Sequence, residues 1–500
     1  MKRRNIGLIL SYLNTGLNML CGLFLSSYLL RSLGSTDYGI YQMIASFANY
    51  LVLLEFGTGT VMTRNIVAAR TKSEDSESID KNYSTIVIIS IILSVAILLV
   101  SFIFYCNIGN IYSKSLTQEQ TAYGKKIFIF ITIYLLASFF SQTMNGLALA
   151  FEDYIIIPLI SIVRIVVRTG LLVLLVFFYK YSIIIAIVDA GIGLIIGIFM
   201  VIYCKFKFFV KFKFTYFDKG ILKSSMPLCI AIFLQTIVNQ ANSNVDKVLI
   251  GIKLNPESVT LYSVALYIYS IFSSLTTLPI TMYAPQVIKS VNLGNTQDEL
   301  YKELVPPSRM IVVIGGLCLF GFIACGKQFV TIVYGTEYLQ AWLIAIIIMV
   351  PMFLNMSNGI LINVLDATNK RMFRSAALTI TTIANIVLTV FWLDWWGIVG
   401  AAVATALCVF LGQITLMNIY YSKSLKINVL RMYRLTFKGI LIFHIIGALF
   451  GYIAAYFIHN NWLGFFVGGC TYVIVFFLGY ILFGMTEWEK GVFKKLIRKK

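Results

Sequence analysis

Apolar residues run in long blocks along this 500-residue chain, with polar residues gathered into short segments between them. A block near twenty residues is the length a helix needs to cross a bilayer. Fourteen such blocks can be marked. The first six lie near 6–30, 39–63, 84–106, 127–150, 154–178 and 182–203. The remaining eight lie near 224–252, 259–285, 310–326, 338–365, 373–392, 396–420, 439–457 and 462–485. The pattern predicts an all-α integral membrane protein of about fourteen transmembrane helices, with function confined to the membrane because every loop is short.

The blocks repeat. A shift of 221 residues lays Asn14 and Asn18 on Gln235 and Asn239, the loop 34–37 on 255–258, and Tyr41 on Tyr262. Such repeats are common in transporters. The predicted organisation is an N-terminal six-helix lobe over 1–203, a basic cytoplasmic linker over 204–223, and a C-terminal six-helix lobe over 224–420. Two additional helices and a basic cytoplasmic tail fill 421–500.

Composition agrees with this reading. Hydrophobic residues make up 59%, charged residues 12%, and mean hydropathy is +0.86, outside the range of soluble globular chains. The net charge of +19 does not point to nucleic acid, because no basic, aromatic-interleaved soluble patch exists. Of the 40 Lys and Arg, 30 fall in alternate connecting segments and the termini, 7 in the other set of loops, and 3 within spans. This positive-inside bias places both termini in the cytoplasm. The segment Lys205–Lys223 is expected to be amphipathic and to lie on the inner leaflet. The N-terminal block has no small-residue cleavage site and reads as a retained first span. Eight scattered cysteines, with no C-x-x-C and no metal-ligand cluster, read as small hydrophobes.

Polar residues inside the spans carry the candidate chemistry. Arg164 and Arg168, with Ser161, share one face of the fifth span. A guanidinium at that depth costs several kcal/mol unless it faces a bundle interior or a wet cavity. A structural pair, satisfied by carbonyls or a carboxylate, is one reading; a cationic site in a transport pathway is the other. An Arg pair suits phosphate because the planar fork matches its oxygens. Amide residues follow helical spacing elsewhere: Asn14 and Asn18 in the first span, Gln42 and Asn49 in the second, and Gln235, Asn239 and Asn242 in the seventh, running on to Asp246. They are expected to line a wet cavity and to hydrogen-bond a glycan. The tenth span adds Asn355, Asn358 and Asp366. Asp246 and Glu55 are candidates for ion coupling or for pairing with an arginine, while Asp189, near the end of the sixth span, is weaker. His444 reads as a packing histidine. No P-loop is present, so no cofactor is expected, and drive would come from a proton or sodium gradient or the membrane potential.

Several stretches resemble one family. Arg31–Tyr41, Glu55-Phe-Gly57, Thr63-Arg64-Asn65, Asp246–Gly251, Tyr334–Tyr338 and Gly397–Thr405 resemble, in that order, polysaccharide transporters. These are the oligosaccharide-lipid flippases of the multidrug/oligosaccharidyl-lipid/polysaccharide (MOP) exporter superfamily. The resemblance implies two six-helix lobes around a V-shaped central cavity, like the MATE transporters. It implies alternating access that carries undecaprenyl-diphosphate-linked oligosaccharide from the inner to the outer leaflet of a bacterial cytoplasmic membrane. The product would feed O-antigen, capsule or exopolysaccharide synthesis, with polymerase and glycosyltransferases as partners. By type and depth, Arg164 and Arg168 suit the diphosphate headgroup. Related lipid II flippases carry further arginines in the first two spans; none lies deep in the first span here, which argues against lipid II. A multidrug or cation antiporter of the same superfamily is the alternative. A membrane polymerase or ligase fits less well, because the loops are short and poor in catalytic groups.

Overall fold

The computed structural model describes residues 2–71, 76–293, 296–368 and 370–491, and no strand occurs among them. Its contacts divide the chain into two compact units, Met1–Thr260 and Leu261–Lys500. The first holds α1 (Lys2–Leu33), α2 (Ser35–Ala48), α3 (Thr58–Thr71), α4 (Ser76–Ile111), α5 (Gln118–Ala150), α6 (Ile156–Tyr179), α7 (Ile183–Phe208) and α8 (Lys219–Lys253). α9 (Pro256–Asn292) begins in the first unit and continues into the second. There follow α10 (Gln297–Val333), α11 (Gln340–Ser357), α12 (Leu361–Ala367), α13 (Arg371–Cys408), α14 (Met417–Ser424), α15 (Val429–Phe437), α16 (Leu441–Tyr456) and α17 (Asn461–Gly479).

Among the described residues, twelve helical runs are long and apolar enough to cross a membrane, or thirteen if α15 and α16, bent by 48°, form one span. The run Arg371–Ser424 counts once in that number. Gly397 (φ 58°, ψ −142°) breaks it between two of the expected spans, so each of the fourteen apolar blocks has its helix. The chain is therefore an all-helical, multi-pass membrane protein. Helices dominate because every backbone N–H and C=O in lipid must be paired internally. Several helix starts are encoded locally. Thr117 and Gln120 form a capping box on α5, Thr296 and Glu299 form one on α10, and Asp218, Asn428 and Asn460 cap α8, α15 and α17.

In the first unit, small and hydroxylated residues let helices approach closely. A Cβ on Gly146 of α5 would lie 2.0 Å from the Gly59 carbonyl oxygen of α3. Beside that crossing, the Thr63 hydroxyl donates to the Gly146 carbonyl (2.8 Å), and the Thr58 and Thr143 hydroxyls share a hydrogen bond at 3.0 Å. This is the packing chemistry of helices that gain nothing from excluding water in lipid.

The second span is broken. After α2 the chain tightens into a 3₁₀ stretch, Asn49–Glu55, then passes through Phe56 (φ 48°) and Gly57 (φ 67°) before α3 begins. The Phe56 ring stacks on Phe233 of α8, with centroids 4.6 Å apart.

α8, expected in the second lobe, packs instead against α2, the 3₁₀ stretch, α3 and α4, so the first compact unit ends at 260 and not at 203. The basic segment 204–223 is shared between the end of α7 and the start of α8, with a link over 209–218 that holds one 3₁₀ turn at Phe214–Tyr216. It is tied to α4: Lys211 N donates to Asp80, Lys213 N to Ser84, and Asp218 N to Thr85. Phe206, Phe209 and Phe214 remain exposed between its lysines. At the other end of the unit, Thr36 donates to Glu257, and these two residues are 221 positions apart, the same spacing as the sequence repeat.

The second unit is fastened by Arg309 of α10, which is 2% exposed. It pairs with Glu489 through two hydrogen bonds (2.8 and 3.0 Å) and donates to the carbonyls of Leu435, Lys438 and Gly484. His444 is buried between Phe320 and Phe476, with Nδ1 2.8 Å from the Tyr472 hydroxyl, in the packing role expected of it.

Candidate cationic site in the first unit

α6 presents Arg164 and Arg168 one turn apart, both half-buried, while Val163, Val166 and Val167 are exposed. The two arginines have different partners. Arg168 grips Asp189 of α7 with two hydrogen bonds, at 2.5 and 3.0 Å, and the side chains are 29% and 13% exposed. Arg164 donates to the Tyr134 hydroxyl of α5 at 2.6 Å, its guanidinium lying 5.2 Å from that ring's centre. Among the described residues, no carboxylate lies within ion-pair distance of Arg164. Arg168 is thus held by Asp189, which the sequence reading ranked below Asp246 and Glu55 as a partner for an arginine. Tyr134 carried no signal in the sequence beyond being aromatic.

α2 closes in on the same centre. Tyr41 lies within electrostatic reach of Arg168 and Asp189, Tyr38 within reach of Arg168, and Gln42 donates to the Tyr38 hydroxyl at 2.8 Å. Gln42 therefore joins the arginines through a tyrosine. With Arg164, Arg168 and Asp189 all ionised, this cluster keeps one net positive charge, and that charge resides at Arg164.

α1 runs beside α6. A Cβ on Gly7 would meet the Tyr154 carbonyl, and the Tyr28 hydroxyl donates to the Val173 carbonyl at 2.9 Å. These contacts run the two helices in the same direction. Asn18 is exposed, whereas Asn14 is half-buried with its Oδ1 unpaired. On α8, Gln235, Asn239 and Asn242 are exposed as one stripe, and Asp246 at its end is buried within electrostatic reach of Tyr50. Asn49 is exposed at the start of the 3₁₀ stretch. Glu55 ends that stretch, half-buried, with no hydrogen-bond or ion-pair partner among the described residues. Two centres result: the arginine–tyrosine cluster on α2, α5, α6 and α7, and the broken second span facing α8.

The second unit contributes an apolar cavity of 190 Å³, lined by Ile268, Phe272, Phe322, Phe329 and Phe465 among others.

The model of the family described as "Polysaccharide biosynthesis protein" matches residues 4–291, more than half of the chain. The chain belongs to that family. It is 29% identical, over 164 residues, to the "Probable low-salt glycan biosynthesis flippase Agl15" of Haloferax volcanii. That match spans 32% of this chain and 34% of the relative, so the chain covers about a third of the length of that curated protein. Among solved structures, the lipid II flippase MurJ in its inward closed conformation superposes with a TM-score of 0.71 at 16% identity, over 95% of this chain and 99% of that one. An inward-facing multidrug resistance MATE family transporter of the MOP superfamily gives 0.60 at 13% identity, over 82% and 95%. These likenesses establish a shared fold, the one the sequence motifs implied.

Proposed function

We propose that the protein is a flippase for polyprenyl-diphosphate-linked oligosaccharides in surface-polysaccharide synthesis. It moves them from the inner to the outer leaflet of the cytoplasmic membrane by alternating access, with both termini cytoplasmic. The observation that carries this reading is Arg164, a guanidinium inside a span whose bonded partner is a neutral tyrosine hydroxyl. A diphosphate would supply the missing counter-charge through charge-assisted hydrogen bonds. Arg168, held by Asp189, fixes α6 against α7 and adds to the field. The amides of α1, α2 and α8 hydrogen-bond the glycan, and the isoprenoid chain stays with lipid. Glu55, unpaired at a helix break, is the candidate for coupling to a cation gradient, because interrupted spans are where transporters bind their ions. The family and the named relative support a role in glycan assembly; the polymerase and glycosyltransferases would be its neighbours there, and translocation without bond-making is its task.

The test is reconstitution. Liposomes containing the protein and an undecaprenyl-diphosphate-linked oligosaccharide should expose the glycan to an impermeant oxidant or lectin faster than empty liposomes. Equal rates would refute the proposal. One observation favours a second reading: Glu55 beside the stacked Phe56 and Phe233 offers the carboxylate and rings that an organic cation prefers. Cells exporting a cationic dye in a Glu55-dependent, Arg164-independent manner would establish the antiporter instead.

A further inference from the structure

The second unit holds a polar cavity that the arginine cluster of the first does not use. α11 stops at Ser357, the chain turns through 358–360 before α12, and a π-helical stretch, Val409–Leu416, interrupts the passage from α13 to α14. Both irregularities line one cavity of 40 Å³, enough for several waters or a small oxyanion. Irregular backbone within a span is tolerated where it lines such a space, and π-helical turns recur at functional sites.

Its walls carry an incomplete hydrogen-bond network. Asn355 Nδ2 donates to Gln413 Oε1 at 2.9 Å, Asn358 Nδ2 to Asn418 Oδ1 at 3.3 Å, and Asn418 Nδ2 to the Tyr433 hydroxyl at 3.1 Å. Asn358 is 4% exposed, yet its Oδ1 has no partner, an arrangement that costs stability unless a donor arrives. Arg374 lines the same cavity. Its neighbour Arg371 pairs with Asp366 at 3.1 Å, but no carboxylate lies within ion-pair distance of Arg374 among the described residues.

A guanidinium whose carboxylate within electrostatic reach, Asp366, is already paired with Arg371 has room for an oxyanion, and a buried carbonyl oxygen lacking a partner calls for a hydroxyl or N–H. A phosphate ester with free hydroxyls offers both. We propose that this cavity takes the phosphoryl group of a hydroxyl-bearing phosphate ester, its oxygens on Arg374 and an adjacent ligand hydroxyl donating to Asn358 Oδ1, with the rest of the ester outside the 40 Å³ space. Arg374 stands in the first turn of α13, the level at which a spanning helix meets lipid phosphates. Two sources share this chemistry, a glycerophospholipid of the bilayer and a sugar phosphate. The proposal does not depend on translocation, since binding is read without it.

The experiment titrates the purified full chain, in a neutral detergent, with phosphatidylglycerol, phosphatidylcholine and N-acetylglucosamine 1-phosphate, and reads binding by native mass spectrometry and thermal unfolding. Saturable binding of phosphatidylglycerol, at least about tenfold tighter than phosphatidylcholine, identifies a bilayer lipid; binding of the sugar phosphate identifies the other source. Arg374→Gln should weaken either by about tenfold or more, Arg374→Lys by less, and Arg371→Gln should leave it unchanged. Asn358→Asp, nearly isosteric, should weaken it through repulsion and serves if Arg374→Gln does not fold. Equal binding by wild type, Arg374→Gln and Asn358→Asp, equal loss in Arg371→Gln, or no saturable binding of either hydroxylated probe would overturn the proposal.

Discussion

At the scale of single residues, two arginines that look equivalent in the sequence do different work. Helical spacing places Arg164 and Arg168 on one face, but it says nothing about neighbours brought in by other helices. Asp189 was visible as a polar residue near the end of its span, and only the packing of α6 on α7 shows that it neutralises Arg168. Removing one partner of such a pair leaves the other without its counter-charge. Asp189→Asn should lower stability by about 1–3 kcal/mol, and a double change to Arg168→Met with Asp189→Leu should recover much of that loss. Thermal unfolding of wild type, Arg168→Met, Asp189→Leu and the double variant in detergent gives the cycle; additive effects would show that the pair contributes nothing as a pair.

At the scale of elements, the apolar blocks were legible as helices, because lipid permits little besides helix, but their ends were not: the block 310–326 lies well inside α10, Gln297–Val333. Nor were the breaks. Phe56 and Gly57 turn left-handed with no proline to announce it, and Glu55 stood out as a carboxylate within a span, not as the end of a helix. The basic segment 205–223 also behaves unlike its composition suggests, since Asp80, Ser84 and Thr85 hold it against α4 instead of leaving a free linker. Close helix crossings rest on small residues whose importance the sequence does not mark. Gly146→Ala forces a methyl to 2.0 Å from a carbonyl oxygen and should cost about 1–3 kcal/mol, whereas Gly170→Ala on α6 meets nothing within 4 Å and should be silent. Melting curves of the two variants decide this; equal midpoints would mean that the α3–α5 crossing relaxes freely.

At the scale of the whole molecule, the compact units divide later than the repeat at 221 suggests, because α8 packs with the first. The second unit is locked by Arg309 and Glu489, far apart in the sequence and paired by the packing of α10 against the C-terminal segment. Arg309→Leu should cost about 3–5 kcal/mol, since it strands Glu489 and three carbonyls. Burial raises the affinity of Glu489 for its proton, but hydrogen bonds from Arg309 and Thr486 outweigh this and hold its carboxyl below the usual glutamate value of 4.5. That stabilisation is complete above about pH 4.5 and is lost as pH falls through the depressed value. Wild type should therefore lose stability on acidification more steeply than Glu489→Gln, as read by unfolding midpoints between neutral and acidic pH; parallel curves would contradict the lock.

The central claim is that the free guanidinium of the first unit receives the diphosphate. Its most direct test is the glycan-flipping rate of reconstituted Arg164→Gln beside wild type and Arg164→Lys, each confirmed as folded by its melting midpoint. The account predicts a fall of about tenfold or more for Arg164→Gln, with partial retention in Arg164→Lys. A folded Arg164→Gln that flips the lipid-linked glycan at the wild-type rate would contradict it.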